Sequence, residues 1–232
     1  MEVKQQENEM NLAFASSDFY QMLSLSLQFP SKELAIALLE GTYWEDGLSI
    51  LEDLSCSKQD IHQAAEDIRQ LEAVPEEELY KQLRQEYTRL FNDPKNPRLA
   101  IYESLFLYKP KEKGEKPMLF LSPEAIEAEK SYKEAGVKVD KKFGEPADHM
   151  ATELEFLMVL YANKGMAIKE QNKEKLENIN KKIINFYQNH LGKWGYEFFE
   201  RLEAETTMEH FRVMARIAKA GLNRLKEVEL SS

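Results

Sequence analysis

Glu145-Pro146-Ala147-Asp148-His149-Met150-Ala151-Thr152-Glu153-Leu154-Glu155-Phe156-Leu157 decides how the rest of the chain reads. Proline is tolerated in the first turn of a helix, where its missing N–H costs nothing, so Pro146 marks a helix start. Glu145 and Asp148 then stand near the positive end of that helix dipole. Met150, Leu154, Leu157 and Tyr161 follow at i, i+4, i+7 and i+11, the spacing of a buried stripe. The stretch predicts a helix over 147–162 with acids at its mouth and an apolar face along its length. Acids held on a rigid element beside a core can take a cationic ligand, a metal or a basic peptide.

Helical period recurs in both directions from there. Leu12, Phe19, Leu23 and Leu27 share one face of a first helix that Pro30 stops. Ser31 caps a second through Leu39, and Gly41 ends it. A third segment spans Trp44 to Leu54. Ser57 with Asp60 resembles a capping box opening a helix toward Leu71. Pro75 followed by Glu76, Glu77 and Glu78 starts another, striped by Leu79, Leu83, Tyr87 and Leu90 and broken at Asn92-Asp93-Pro94. Ser122-Pro123-Glu124 restarts a helix that Gly136 ends. After 147–162 come helices over 168–191 and 194–203. Thr206 with Glu209 then caps a last one bearing Met208, Phe211, Ala215, Ala218, Leu222 and Leu225.

No strand-period alternation of useful length and no internal repeat interrupts this pattern. The expected fold is an all-α bundle of about ten helices. Five of the eight prolines (94, 97, 110, 117 and 123) fall between Asn92 and Pro123, together with the charged run Lys109–Lys116. That stretch reads as irregular structure with an exposed loop, and as a hinge. A shorter linker, Val137–Gly144, carries Lys138, Lys141 and Lys142. The expected division is an N-terminal lobe over about 10–135 and a C-terminal lobe over about 145–228.

Composition narrows the function. A chain of 232 residues, 43% hydrophobic and 31% charged, is that of an ordinary globular protein. A net charge of −10 argues against nucleic acid, which needs a concentrated basic face, and is compatible with a basic peptide. The lone Cys56 excludes an internal disulfide framework, fits a reducing compartment and reads as a small buried thiol. Met1–Glu9 lacks the basic and apolar regions of a secretory signal. No apolar run approaches the roughly 20 residues that span a bilayer. A cytoplasmic protein without stable membrane insertion is the expectation.

Motifs for chemistry are sparse. There is no phosphate-binding glycine loop, no H-E-x-x-H and no cysteine pair. Ser104 with His149 lacks a nucleophile-elbow context, so no catalytic residue is assigned. His149 and Glu153 stand i, i+4 and could share a metal with Asp148, the basis of an alternative reading as a metal-dependent helical enzyme. Ferritin-like sites, however, place a Glu three residues before a His, which this chain does not do. His190 suits a helix C-terminus, and Trp194, Phe198 and Phe199 read as core. Three segments combine aromatics with acids: Glu86-Tyr87 with Leu90-Phe91, Tyr102-Glu103-Ser104 with Phe106, and Asp148-His149 with Glu155. Guanidinium groups pair bidentately with carboxylates and stack on rings, so these segments form a natural receptor for arginines flanked by apolar residues. A generic helical interaction module without a peptide groove is the third reading.

At these residues the chain resembles the TorD/DmsD family, cytoplasmic chaperones dedicated to molybdenum-containing redox enzymes. The resemblance rests on Glu86-Tyr87-Thr88-Arg89-Leu90-Phe91, then Tyr102-Glu103-Ser104, then Glu145-Pro146-Ala147-Asp148-His149 with Glu153–Phe156. His190-Leu191-Gly192-Lys193-Trp194 with Phe198 completes it. In order and spacing it covers about residues 12–225. It implies an all-helical fold of two lobes joined by a hinge. It also implies binding of the twin-arginine signal peptide of a partner reductase, held back from export while still in its apo-form. Several such proteins assist molybdopterin insertion, but no cofactor of this chain's own is implied. The peptide-binding residues carried over are Asp148, His149, Leu90, Phe91, Tyr102 and Ser104. Glu145, Glu103, Glu155 and Glu86 are candidate further acids. Asn92 stands where a glycine is frequent, and Ala147 where a second acid or proline is common. A homodimer formed by domain exchange is open to such a two-lobed chain.

Overall fold

The computed structural model of the protein describes residues 2–95, 97–109, 115–138 and 144–230. Among the described residues the chain runs through α1 (Glu2–Ser26), α2 (Lys32–Glu40), α3 (Thr42–Asp53), α4 (Lys58–Arg69) and α5 (Glu76–Tyr87). A π-helical turn (Thr88–Asn92) and α6 (Glu103–Phe106) follow. Then come α7 (Pro123–Glu134), α8 (Met150–Lys169), α9 (Lys173–Asn189), α10 (Leu191–Glu205) and α11 (Glu209–Leu230). The fold is all-α, as expected. The centres of the expected Lys109–Lys116 loop and Val137–Gly144 linker, 110–114 and 139–143, lie outside the described residues.

Capping residues fix most helix starts. Ser31, Ser57 and Ser122 each accept a backbone N–H three residues on, from Leu34 (3.2 Å), Asp60 (3.1 Å) and Ala125 (3.1 Å). Gly41, at φ 87°, ends α2 in the left-handed conformation that a side chain would strain. In α8 the expectation is corrected at both ends. The helix begins at Met150, because Pro146 accepts the His149 N–H in a turn (3.2 Å) and His149 is extended. It continues to Lys169, where Gln171 turns left-handed (φ 54°) and Asn172 caps the next helix through the Lys175 N–H (3.0 Å). The helix expected over 168–191 therefore starts later, and it breaks at His190.

The helices group into two compact units, each assembled from two stretches of chain. One takes Met1–Ser24 with Ala100–Gly195, the other Leu25–Leu99 with Tyr196–Ser232. The boundary at Leu99–Ala100 falls inside the proline-bearing stretch, whereas the sequence reading expects lobes that are each continuous.

In the first unit α1 runs antiparallel to α8. Gln6, Ser17 and Ser24 donate side-chain hydrogen bonds to the carbonyls of Ile168, Met158 and Ala151, at 2.9, 3.1 and 2.8 Å. Small serines satisfy backbone groups while letting the helices approach. Gly165 serves the same approach: a Cβ there would lie 2.7 Å from the Phe14 ring. Tyr132, Phe156 and Phe186 form a ring cluster where α7, α8 and α9 meet, with centroids 4.6 to 5.8 Å apart.

The second unit packs α2, α3, α4, α5 and α11 around Leu79, Leu83, Tyr87 and Leu90, all buried as their stripe predicts. Tyr87 and Phe91 meet edge to face at 4.9 Å. Arg216 on α11 bridges Asp67 (2.7 Å) and Glu203 (2.8 Å), tying three helices. Cys56 is buried and free.

Candidate functional site

Two helix starts lie side by side in the first unit. Tyr102 and His149 form an isolated antiparallel β-bridge. Its hydrogen bonds are Glu103 N–H to Asp148 O and Met150 N–H to Ile101 O, both 2.9 Å. The bridge aligns the entry to α6 with the entry to α8. Asp148 Oδ2 accepts the Ser104 N–H at 3.0 Å, so the carboxyl on one strand of the bridge holds the first turn of the helix leaving the other. Burial lifts the Asp148 carboxyl above its usual range.

His149 caps α8 with its ring. Nδ1 accepts the Ala151 N–H at 3.1 Å, which requires that nitrogen to be unprotonated. Burial pushes the imidazole down to about 4, so it is neutral at physiological pH. The Tyr102 ring packs edge to face against it (5.2 Å, 74°), and the Tyr102 hydroxyl donates to Glu145 Oε2 at 2.7 Å. Tyr102 is half-buried and Glu145 exposed, so this pair faces solvent while Asp148 and His149 support it from beneath.

A second polar layer lies deeper. His190 Nδ1 is 2.8 Å from Glu103 Oε2, and Trp194 Nε1 donates to Glu153 Oε2 at 3.1 Å. Glu103, Glu153 and His190 are all buried, with ligand atoms within 4.8 Å of one another. Burial raises Glu153 well above the usual carboxylate range, and the neighbouring Glu103 charge adds to it. The Oε1 atoms of Glu153 and Glu103 are buried without a hydrogen-bond partner among the described residues. Among the described residues this is the group whose atoms lie close enough to share a cation. The set Asp148, His149 and Glu153, expected from spacing, is not brought together in that way, since His149 Nδ1 is engaged by the α8 cap.

The structure therefore sorts the sequence-predicted residues. Glu145 and Glu155 are exposed and Tyr102 half-buried, while Glu103, Ser104, Asp148 and His149 form the buried support. Glu86, Leu90 and Phe91 belong to the second unit and are buried there. Glu86 is engaged by Arg89 (2.7 and 2.8 Å), the Thr206 hydroxyl (2.7 Å) and the Thr207 N–H (2.6 Å). Burial works to raise its carboxyl, but those donors outweigh it and hold it down at about 2. Leu90 and Phe91 lie in the π-helical turn, and the Leu99 N–H returns to the Leu90 carbonyl at 2.9 Å. Sequence reasoning missed the joint role of His190, Trp194, Glu103 and Glu153. The available signal was Glu153 itself, an acid three residues after Met150 and four before Leu157, inside the buried stripe.

Residues 57–200 match the nitrate reductase delta subunit family. A segment of the chain is 40% identical over 90 residues to a protein of Vibrio parahaemolyticus named chaperone protein TorD. That match spans 38% of this chain and 39% of the relative's length. No solved structure matches the chain.

Proposed function

The chain belongs to the nitrate reductase delta subunit family, of TorD type, and from that membership we propose that it is a dedicated chaperone for a molybdenum-containing oxidoreductase. It binds the twin-arginine signal peptide of that enzyme's apo-form and holds the enzyme for cofactor loading before export. The work is binding and release, without covalent chemistry by the chain's own residues.

The observation that carries this reading is the Tyr102–Glu145 pair at a solvent edge, 2.7 Å apart, set on the Tyr102–His149 bridge and the buried Asp148 and His149 side chains. An arginine arriving there meets an exposed carboxylate whose second oxygen is free to complete a bidentate pair. The tyrosine hydroxyl already fixes the orientation of that carboxylate. Its guanidinium face can lie on the Tyr102 ring. Glu155, exposed on the first turns of α8, supplies a further carboxylate for the second arginine. Asp148, His149 and Ser104 act as positioning residues that keep the two helix starts in register.

Each charge-assisted contact contributes roughly 1.5–3 kcal/mol. Two such contacts with some apolar burial, less the cost of ordering the peptide, give affinity of roughly micromolar order. That strength suits a chaperone that must later let its client go. The chain's net charge of −10 draws a basic peptide toward it. No helix among the described residues is long and apolar enough to cross a membrane.

The test is recovery of the tagged protein from its own cells with whatever it holds. A molybdoenzyme precursor carrying an intact twin-arginine leader is expected. Repeated recovery without such a precursor, in cells that express one, would overturn the proposal.

A further inference from the structure

Apolar side chains stand exposed in one short run of the first unit. Met118, Phe120 and Leu121 are 68%, 64% and 65% exposed, and Ile126 on α7 is 53% exposed. Single exposed apolar residues are ordinary, but four large ones within nine positions form a patch. Local structure fixes the patch in place. The Leu121 N–H returns to the Met118 carbonyl at 2.9 Å, and Ser122 then caps α7 at once. The run is a turn locked against a helix start, and it holds its apolar side chains outward.

We propose that this patch receives the apolar stretch that follows the basic pair of the bound peptide. The inference rests on the function proposed above and adds a second contact to it. Three features of the first unit connect the patch to the Tyr102–Glu145 edge. Helix α7, which carries Ile126, packs against α6, which Tyr102 opens. The Tyr132 hydroxyl of α7 donates to the Ala147 carbonyl at 2.6 Å, two residues from Glu145. From Tyr132 back to Ile126 the helix rises about 9 Å. An extended peptide covers that distance in about three residues, so one peptide can lay arginines at Glu145 and apolar side chains at Ile126, Leu121 and Phe120.

The net charge of the chain favours this occupant over others. Glu115 and Lys116 lie just before the patch, and Glu124 and Glu127 lie on the helix that leaves it. A second copy of a chain with net charge −10, or an anionic lipid surface, would be repelled. A segment both apolar and basic is drawn in. Leu90 and Phe91, which the sequence offers for the apolar stretch, are core residues of the second unit.

The experiment measures binding of two synthetic peptides to the full chain by titration calorimetry. One carries Arg-Arg followed by a leucine–alanine stretch, and the other carries Arg-Arg and ends before it. The variant is Phe120→Ser with Leu121→Ser, two exposed positions, with its fold checked by thermal unfolding. The expected result is a loss of about tenfold or more for the long peptide, with affinity for the short one unchanged. Equal affinity of variant and wild type for the long peptide overturns the patch and leaves the proposed function standing. A wild type that binds neither peptide overturns the proposed function, and the patch with it. Self-association of the wild type that the variant abolishes, with peptide affinity unchanged, makes the patch a contact between copies and overturns the assignment to peptide.

Discussion

His190 Nδ1 sits 2.8 Å from Glu103 Oε2, and both side chains are buried. The contact ties α6 to the break between α9 and α10, beneath the helix starts that present Tyr102 and Glu145. Removing one partner of a buried pair leaves the other desolvated and uncompensated. His190→Ala should therefore cost about 1–3 kcal/mol of stability. Replacing both partners with apolar residues should recover part of that loss. Urea unfolding of the two single variants and the double variant measures it. A single-variant loss below about 1 kcal/mol would show that the pair does not hold these elements.

Glu153 predicts a pH dependence of definite sign. Its folded-state pKa is raised above the usual 4.5, so the native protein keeps this proton to higher pH than the unfolded chain does. Stability from this group is greatest in acid and falls as pH rises from about 4.5 toward the native value. Glu153→Gln preserves an acceptor for Trp194 and abolishes the titration. The variant should gain stability relative to wild type between pH 4.5 and 8, measured by urea unfolding at both. A difference that stays constant across that range would contradict the upward shift of Glu153.

His149 has the opposite sign. Its pKa falls from 6.5 to about 4 on folding. The stability it contributes is fully present above 6.5 and is lost as pH drops toward 4, up to about 3 kcal/mol. Asparagine is a good helix cap, so His149→Asn should keep α8 intact while flattening the stability curve between pH 4 and 6.5. A slope equal to that of wild type would place the titration elsewhere.

Much of the fold was legible because its signals are local. Ser31, Ser57, Ser122 and Gly41 do in space what their positions imply, since a cap involves only its own turn. The stripe from Leu79 to Leu90 is buried as its period requires. What failed depended on longer-range chemistry. Pro146 reads as a helix start, but the bridge to Tyr102 holds that strand extended and moves the start to Met150. The site was legible in its members and not in its layers. Asp148 and Glu103 look like acids for a ligand, yet one holds the Ser104 N–H and the other His190. Spacing alone cannot tell an exposed carboxylate from a buried one when both flank a short bridge.

That layering makes Asp148 and Tyr102 informative variants. Asp148→Asn keeps an oxygen for the Ser104 N–H and removes the charge. As a positioning residue it should lower peptide affinity less than Glu145→Gln does, with unfolding nearly unchanged. Tyr102→Phe removes the hydroxyl that orients Glu145 at a solvent edge and should cost about 1 kcal/mol of stability or less. Its effect should appear as weaker peptide binding, read by fluorescence anisotropy. Full affinity in Tyr102→Phe would detach the Tyr102–Glu145 pair from recognition.

The most direct test compares Arg-Arg and Lys-Lys versions of one signal peptide by titration calorimetry, on wild type and on Glu145→Gln. The account predicts roughly micromolar binding of the Arg-Arg peptide by wild type. The Lys-Lys peptide, which cannot pair bidentately, should bind more weakly. Glu145→Gln should lose about tenfold for Arg-Arg and most of the discrimination. Equal affinity of wild type for the two peptides, unaltered in Glu145→Gln, would contradict it.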